Sequence, residues 1–265
     1  MPNVETFPLQ SIAGIIFNNQ ILIERWIFQN GVWVSSFPFL GYPITGSAIV
    51  KAPFPNNNLK SLLSIGGEDA DGKTSNQWLV LTTSGWEYVV QPTLPRGFMH
   101  HCAVLFNSTT VLVIGGQNSD YVLVADVFIF NSVTMAWSKA ANLNVVRQNH
   151  LCAMISSSDG SQTMAPMVVG GDSGSTSLTS SEYSLDLKSW TPGPALPYAI
   201  TYTAIVNDRN GGIVLVGGLK DNVLLDTLMY LRHAQGQWEI LSIKLKLPRS
   251  NGIALALPDG AINCG

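Results

Sequence analysis

Two histidines, His100 and His150, each stand three residues ahead of an alanine that opens a short apolar run, Ala103 in "HCAVLFN" and Ala153 in "LCAMISS". Imidazole is a metal ligand and a group that titrates near neutral pH. The same offset from Ala13, Ala48, Ala204 and Ala254 picks out Gln10, Thr45, Thr201 and Asn251. If the segments lie in register, these six polar residues form one ring. Such a ring suits a small-molecule or metal site, or the hydrated rim of a channel. Arg96, Arg147 and Arg249 lie in turns a few residues upstream. A guanidinium placed there binds an anion or ties neighbouring segments together through backbone carbonyls.

Other chemistry is sparse. The three cysteines are odd in number and far apart, which is neither a disulfide framework nor zinc-ligand spacing. Cys102 and Cys152 read as small buried apolar residues. No Ser/His/Asp order and no carboxylate pair stands out, and neither a metal nor a cofactor is expected. Asn107-Ser108-Thr109 is an acceptor triplet for N-glycosylation, set between two strand-like runs.

Composition narrows the function classes. Of 265 residues, 46% are hydrophobic and only 12% charged, with a formal net charge of −3. A chain of this kind can bury a large core, and it has no basic run with which to neutralise nucleic-acid phosphates. No apolar stretch approaches the ~18 residues of a membrane helix. The opening "MPNVETFPLQ" lacks the basic start and apolar core of a signal peptide. Extracellular and cytoplasmic settings both stay open.

The elements that must position the candidate residues recur. Glycine pairs begin at Gly66, Gly115, Gly170 and Gly217, each closing an apolar run such as "VLVIGG". A tryptophan follows each pair by 20 to 22 residues, at Trp86, Trp137, Trp190 and Trp238. Seven residues before each tryptophan stands Leu79, Phe130, Tyr183 or Leu231, and Trp26 to Trp33 repeats that interval. The six landmark alanines give a period of about 50 residues. Turn dipeptides such as Asp71-Gly72, Asp159-Gly160 and Asn210-Gly211 divide each period into four short strands. A four-strand period of this length is the mark of a propeller blade.

The double glycine, the aromatic, the tryptophan seven residues on and the "LPRGF" and "LPRSN" turns together resemble the kelch repeat. The match runs over essentially the whole chain, clearest in repeats two to five. The resemblance implies an all-β, six-bladed kelch-type β-propeller in one domain, residues 1–265. Its blades would span 8–40, 41–92, 93–143, 144–196, 197–246, and 247–265 completed by 1–7. In such a ring the small alanine suits the crowded innermost strand, the glycines let the second strand stop abruptly, and the large aromatics fill the space between blades. The last segment, "GIALALPDGAINCG", supplies two strands, so an N-terminal strand, "NVETF", is expected to close the ring.

For function, the resemblance implies a protein-binding module that presents one loop face to a protein partner. The loops after the glycine pairs carry Glu68, Asp69, Asp71 and Lys73, then Asn118 and Asp120, Asp172, and Lys220, Asp221 and Asn222. Loops on a rigid scaffold are common binding surfaces. Some kelch-type propellers are enzymes, namely copper oxidases, sialic-acid mutarotases and iron-dependent specifier proteins. The Glu-x3-Asp-x3-His pattern of the specifiers is absent here. A ligand or metal site at the channel, and a self-associating structural or pigment protein, are the competing readings.

Overall fold

The computed structural model describes residues 46–252 except 55, 56, 70, 83 and 84, together with residue 254 and the backbone of four strands between residues 14 and 35. Among the described residues every regular element is a strand, so no helix is long and apolar enough to cross a membrane.

The strands group into antiparallel meanders, each built from consecutive strands of one repeat. The first holds β1 (Gly14–Phe17), β2 (Gln20–Ile23), β3 (Trp26–Gln29) and β4 (Val32–Ser35). The second holds β5 (Ala48–Phe54), β6 (Asn57–Ile65), β7 (Trp78–Thr82) and β8 (Gly85–Tyr88). The third holds β9 (Cys102–Asn107), β10 (Thr110–Ile114), β11 (Val127–Asn131) and β12 (Ala136–Lys139). The fourth holds β13 (Leu151–Ser156), β14 (Met164–Val169), β15 (Ser181–Tyr183) and β16 (Thr191–Pro192). The chain then forms β17 (Ala204–Asn207) and β18 (Ile213–Val216), a two-stranded ribbon of β19 (Leu219–Lys220) and β20 (Val223–Leu224), and β21 (Thr227–Leu231) and β22 (Glu239–Lys244). Strands β17, β18, β21 and β22 make the fifth meander.

The first strands of the last four meanders, β5, β9, β13 and β17, pack against one another in succession. Four blades thus stand side by side with their innermost strands adjacent, which is a β-propeller. A further four-stranded meander precedes them at residues 14–35. Gln10, Thr45, the "NVETF" strand and residues 255–265 lie outside the described residues.

The core sits between blades. Along β10 every residue is buried, because its two faces serve two different neighbours. Val111 and Val113 pack with Leu63, Ile65 and Trp78 of the preceding blade, whereas Leu112 and Ile114 pack with Val168 and Trp190 of the following one. In β14, Met167 and Val169 join Ile213, Leu215 and Met229 of the next blade. Burial on both faces explains why these strands read as continuous apolar runs instead of alternating ones. The aromatic pair fills the gap as expected. Phe130 and Trp137 sit opposite each other across β11 and β12, and Trp78 of the neighbouring blade meets them at 4.6 and 6.0 Å between ring centroids. Trp190 and Trp238 each reach back to the preceding blade, where their indole N–H groups donate to the carbonyls of Ala141 and Pro194.

The structure corrects the reading of Cys102 and Cys152. Their sulfurs are joined in a disulfide that bridges β9 and β13, with Cα atoms 5.9 Å apart. Two blades are therefore covalently linked at their innermost strands. The fifty-residue separation hid the pairing, because it is one full repeat and proximity arises only when consecutive repeats stack side by side.

Candidate functional site

The glycine pairs organise one face of the ring. The N–H of the second glycine always donates to the following blade: Gly67 to Phe98, Gly116 to Arg147, Gly171 to Ile200 and Gly218 to Arg249. All eight glycines have positive φ, between 61° and 112°. At Gly116, φ is 91° and a β-carbon would stand 2.4 Å from the Met99 carbonyl oxygen. The backbones therefore approach as closely as only glycine permits. The pair is a staple between blades and the start of a hairpin, not a phosphate cradle.

Each hairpin springs from its glycine pair, and the last three are held at their bases by the segment leading into the innermost strand. Paired bridges link Met99 with Gln117, Gln148 with Asp172, and Thr201 with Leu219. The hairpins close at Glu68–Thr74, Gln117–Leu123, Asp172–Ser177 and β19–β20. Their polar residues largely serve the turns. Asp69 Oδ1 accepts from the N–H groups of Asp71 and Lys73, and Asn118 Oδ1 accepts from those of Asp120 and Val122. Asp172 accepts from Gln148 Nε2 at 2.8 Å, Asn149 Nδ2 at 3.0 Å and the Gly174 N–H at 3.0 Å. Asp221 and Asn222 both have positive φ, 48° and 63°, as the two-residue turn joining β19 and β20 demands. Lys220 Nζ lies 4.7 Å from the centre of the Tyr198 ring. Neighbouring hairpins touch. Tyr121 Oη donates to Glu68 Oε1 and to the Gly72 carbonyl, joining two adjacent loops.

Sequence reasoning missed what the tips expose. Tyr121 is 53% exposed, Val122 56%, Val223 62% and Leu224 48%, so the face is aromatic and apolar among its charges.

The register of the innermost strands, counted from the glycine pairs, does not follow the landmark alanines. Ala48, Cys102, Leu151 and Ala204 are the equivalent residues, each paired with the residue just before a glycine pair. Ala103 lies one residue, and Ala153 two residues, beyond that position. Two residues upstream of it lie Gly46, His100, Asn149 and Tyr202, all with positive φ between 51° and 65°, and Asn251 shares that conformation. Backbone bonds run around them: His100 N–H to Gly46, Asn149 N–H to His100, and Asn251 N–H to Tyr202. His100 and Asn251 thus belong to one ring, and Asn149 and Tyr202 take the places assigned to His150 and Thr201. His100 is partly buried, and burial lowers its pKa despite the nearby Glu68 and Asp172 charges.

One residue further on, His101 and His150 are equivalent to each other and to Thr203. Both rings are buried. His150 lies between Gly115 of the preceding blade and Gly171 of its own, and His101 likewise between Gly66 and Gly116. The nearest polar partners of the two rings are backbone groups of the residues just before the glycine pairs, Ile65 for His101 and Ile114 for His150. The predicted pair His100 and His150 therefore does not converge on one site. Among the described residues, no three His, Cys, Asp or Glu side chains cluster closely enough to hold a metal.

The arginines are not equivalent. Arg147 and Arg249 share a position with Phe98 and Ile200, whose carbonyls take the glycine N–H bonds, and Arg96 lies two residues earlier. Arg147 is fully buried. Its guanidinium donates to the carbonyls of Gly170 and Ser180, to Ser180 Oγ and to Glu182 Oε1 at 2.8 Å. Glu182, which sequence reasoning missed, also accepts from the N–H groups of Asn144 and Val145. This network ties the fourth blade to the segment entering it. Arg96 pairs with the buried Asp126 at 3.2 Å, and Arg249 Nε donates to the Leu247 carbonyl.

The Kelch motif family model matches residues 99–144, the third blade and the segment leading into it. A tRNA wybutosine-synthesizing protein 4 from Aspergillus fumigatus is 30% identical over 110 residues. That stretch is 40% of this chain and 10% of the relative, so the chain spans only a small part of that protein's length. The solved structure of YjhT superposes with a TM-score of 0.70 at 14% identity, covering 92% of this chain and 86% of that one. The chain thus carries a Kelch motif at residues 99–144 and folds as a β-propeller, with the glycine staple and the four-stranded meander recurring from blade to blade among the described residues.

Proposed function

We propose that the chain is a protein-interaction module, a six-bladed ring that offers its glycine-hairpin face to a protein partner. The observation that carries this reading is the contrast between the hairpins' roots and their tips. The roots are built alike, with the same staple to the following blade and, in the last three, the same bridges. The tips differ in length and side chain, and they expose Tyr121, Val122, Val223 and Leu224 beside Asp69, Asp71, Lys73 and Asp120. A rigid base with variable loops is how scaffolds carry recognition. Exposed aromatics ringed by polar groups are the usual centres of protein interfaces. The channel-ligand alternative loses its main support, because His150 is packed away from the ring that holds His100.

Photo-crosslinking residues placed at position 121 or 223, and at Val133 on the opposite end of the third blade, test this. Crosslinks from 121 and 223 to one protein, with Tyr121→Ala weakening that complex at least tenfold, are expected. Equal crosslinking from position 133, or binding untouched by Tyr121→Ala, overturns it.

A further inference from the structure

We propose that Asn107 carries an N-linked glycan, at the end of the propeller opposite the hairpin face. Asn107-Ser108-Thr109 is the one N-glycosylation triplet in the sequence. It forms the turn between β9 and β10, where Asn107 and Ser108 are exposed. Asn107 Oδ1 accepts from the Thr109 N–H at 2.9 Å and from Thr109 Oγ1 at 3.2 Å. The hydroxyl of the triplet is thus folded back onto its own asparagine. Neither bond uses Nδ2, the atom that takes the sugar. The turn is also anchored, since the Ser132 N–H donates to the Thr109 carbonyl at 2.8 Å. A glycan at this tip displaces no core side chain.

The second observation is independent of the triplet. The Cys102–Cys152 disulfide begins the same strand that ends at Asn107. Disulfides form and persist in oxidising compartments, which in a secretory route also hold the transferase for such triplets. A chance triplet in a reduced, cytoplasmic protein would not be accompanied by a disulfide between two blades.

The transfer uses a lipid-linked oligosaccharide diphosphate. The bond between sugar C1 and the diphosphate oxygen breaks, C1 bonds to Nδ2, Nδ2 gives up one proton, and the lipid diphosphate leaves. Position then matters for function. Strand β10 separates the turn from Gly115 by five residues, roughly 17 Å at ~3.4 Å per residue. The glycan therefore occupies the far end of the third blade and leaves Tyr121 and Val122 uncovered.

The test uses protein isolated from its natural source. Peptide N-glycosidase should lower its intact mass, and cleavage in heavy-oxygen water should leave a labelled aspartate at position 107. Full-length protein passed through a eukaryotic secretory pathway provides the variants. Thr109→Ala, which keeps the asparagine, should abolish the mass shift, and Ser108→Ala should retain it. A natural protein whose peptide carries unmodified Asn107, or a mass shift that survives Thr109→Ala, overturns the proposal. Either result leaves the protein-binding reading untouched.

Discussion

His101 and His150 occupy the position that Thr203 holds in the fifth blade, each wedged between a glycine of its own blade and one of the blade before. Burial strips the charged imidazolium of water there, repulsion from His100 when it protonates and from the Arg147 guanidinium adds to the effect at His101 and His150 respectively, and backbone hydrogen bonds with Ile65 and Ile114 offset only part of it. Both pKa values fall to about 3. The unfolded chain keeps the ordinary value near 6.5, so between these limits it binds protons that the folded chain does not. The stability associated with neutral histidine is therefore complete above about pH 6.5 and is lost as pH falls toward 3. The slope is up to about 1.4 kcal/mol per pH unit for each ring. Urea midpoints measured from pH 7 to pH 4.5 should fall for the wild type and flatten in a His101→Thr/His150→Thr double variant. Threonine is the probe because Thr203 already fits the equivalent site. Parallel curves for the two proteins would show that these rings do not bear the pH dependence.

Elements hold the ring together by devices of different strength. The staple of glycine N–H to neighbouring carbonyl recurs at each described blade junction. Arg147 with Glu182 adds a buried ion pair at one junction, where removing one partner would strand the other's charge. The Cys102–Cys152 bond joins residues fifty apart in sequence, and closing a loop of that length removes roughly 4 kcal/mol of denatured-chain entropy. For a chain of this size a Cys102→Ala/Cys152→Ala variant should melt roughly 10 °C lower than the wild type. Adding reductant should lower the wild type toward the variant and leave the variant unmoved. A reductant that shifts both alike argues against the bond as the cause. The meander was legible in the sequence because glycine pairs and tryptophans mark strand ends, and strand ends are set by local backbone geometry. The register of the innermost strands was not. A small residue is wanted near the axis, but Ala48 and Ala204 meet that need at one position, Ala103 at the next and Ala153 one beyond. Counting from the alanines therefore misplaced His150 and Thr201.

At the scale of the whole molecule, each blade leaves both sheet faces apolar and depends on its neighbours, as the packing of β10 and β14 against blades on either side shows. Stability in such repeats is close to a sum of blade and interface contributions, and an open ring leaves two faces and two strand edges bare. Four blades stand side by side among the described residues, and the six landmark alanines lead to the expectation of a six-bladed ring in which residues 1–7 supply a strand. The candidate face was legible only as a place, since the loops after the glycines could be counted but not their exposed tips: Tyr121 is identified by its reach to the neighbouring hairpin, which no local pattern encodes. The closure has a direct test. Removing residues 1–7 should lower the melting temperature by on the order of 10 °C if those residues pair with the last blade, because the lost strand takes its hydrogen bonds and half a blade interface with it. Supplying the heptapeptide in trans should recover part of the loss, which a merely solubilising tail would not do. An unchanged melt after the deletion would mean that residues 1–7 contribute no strand to the propeller.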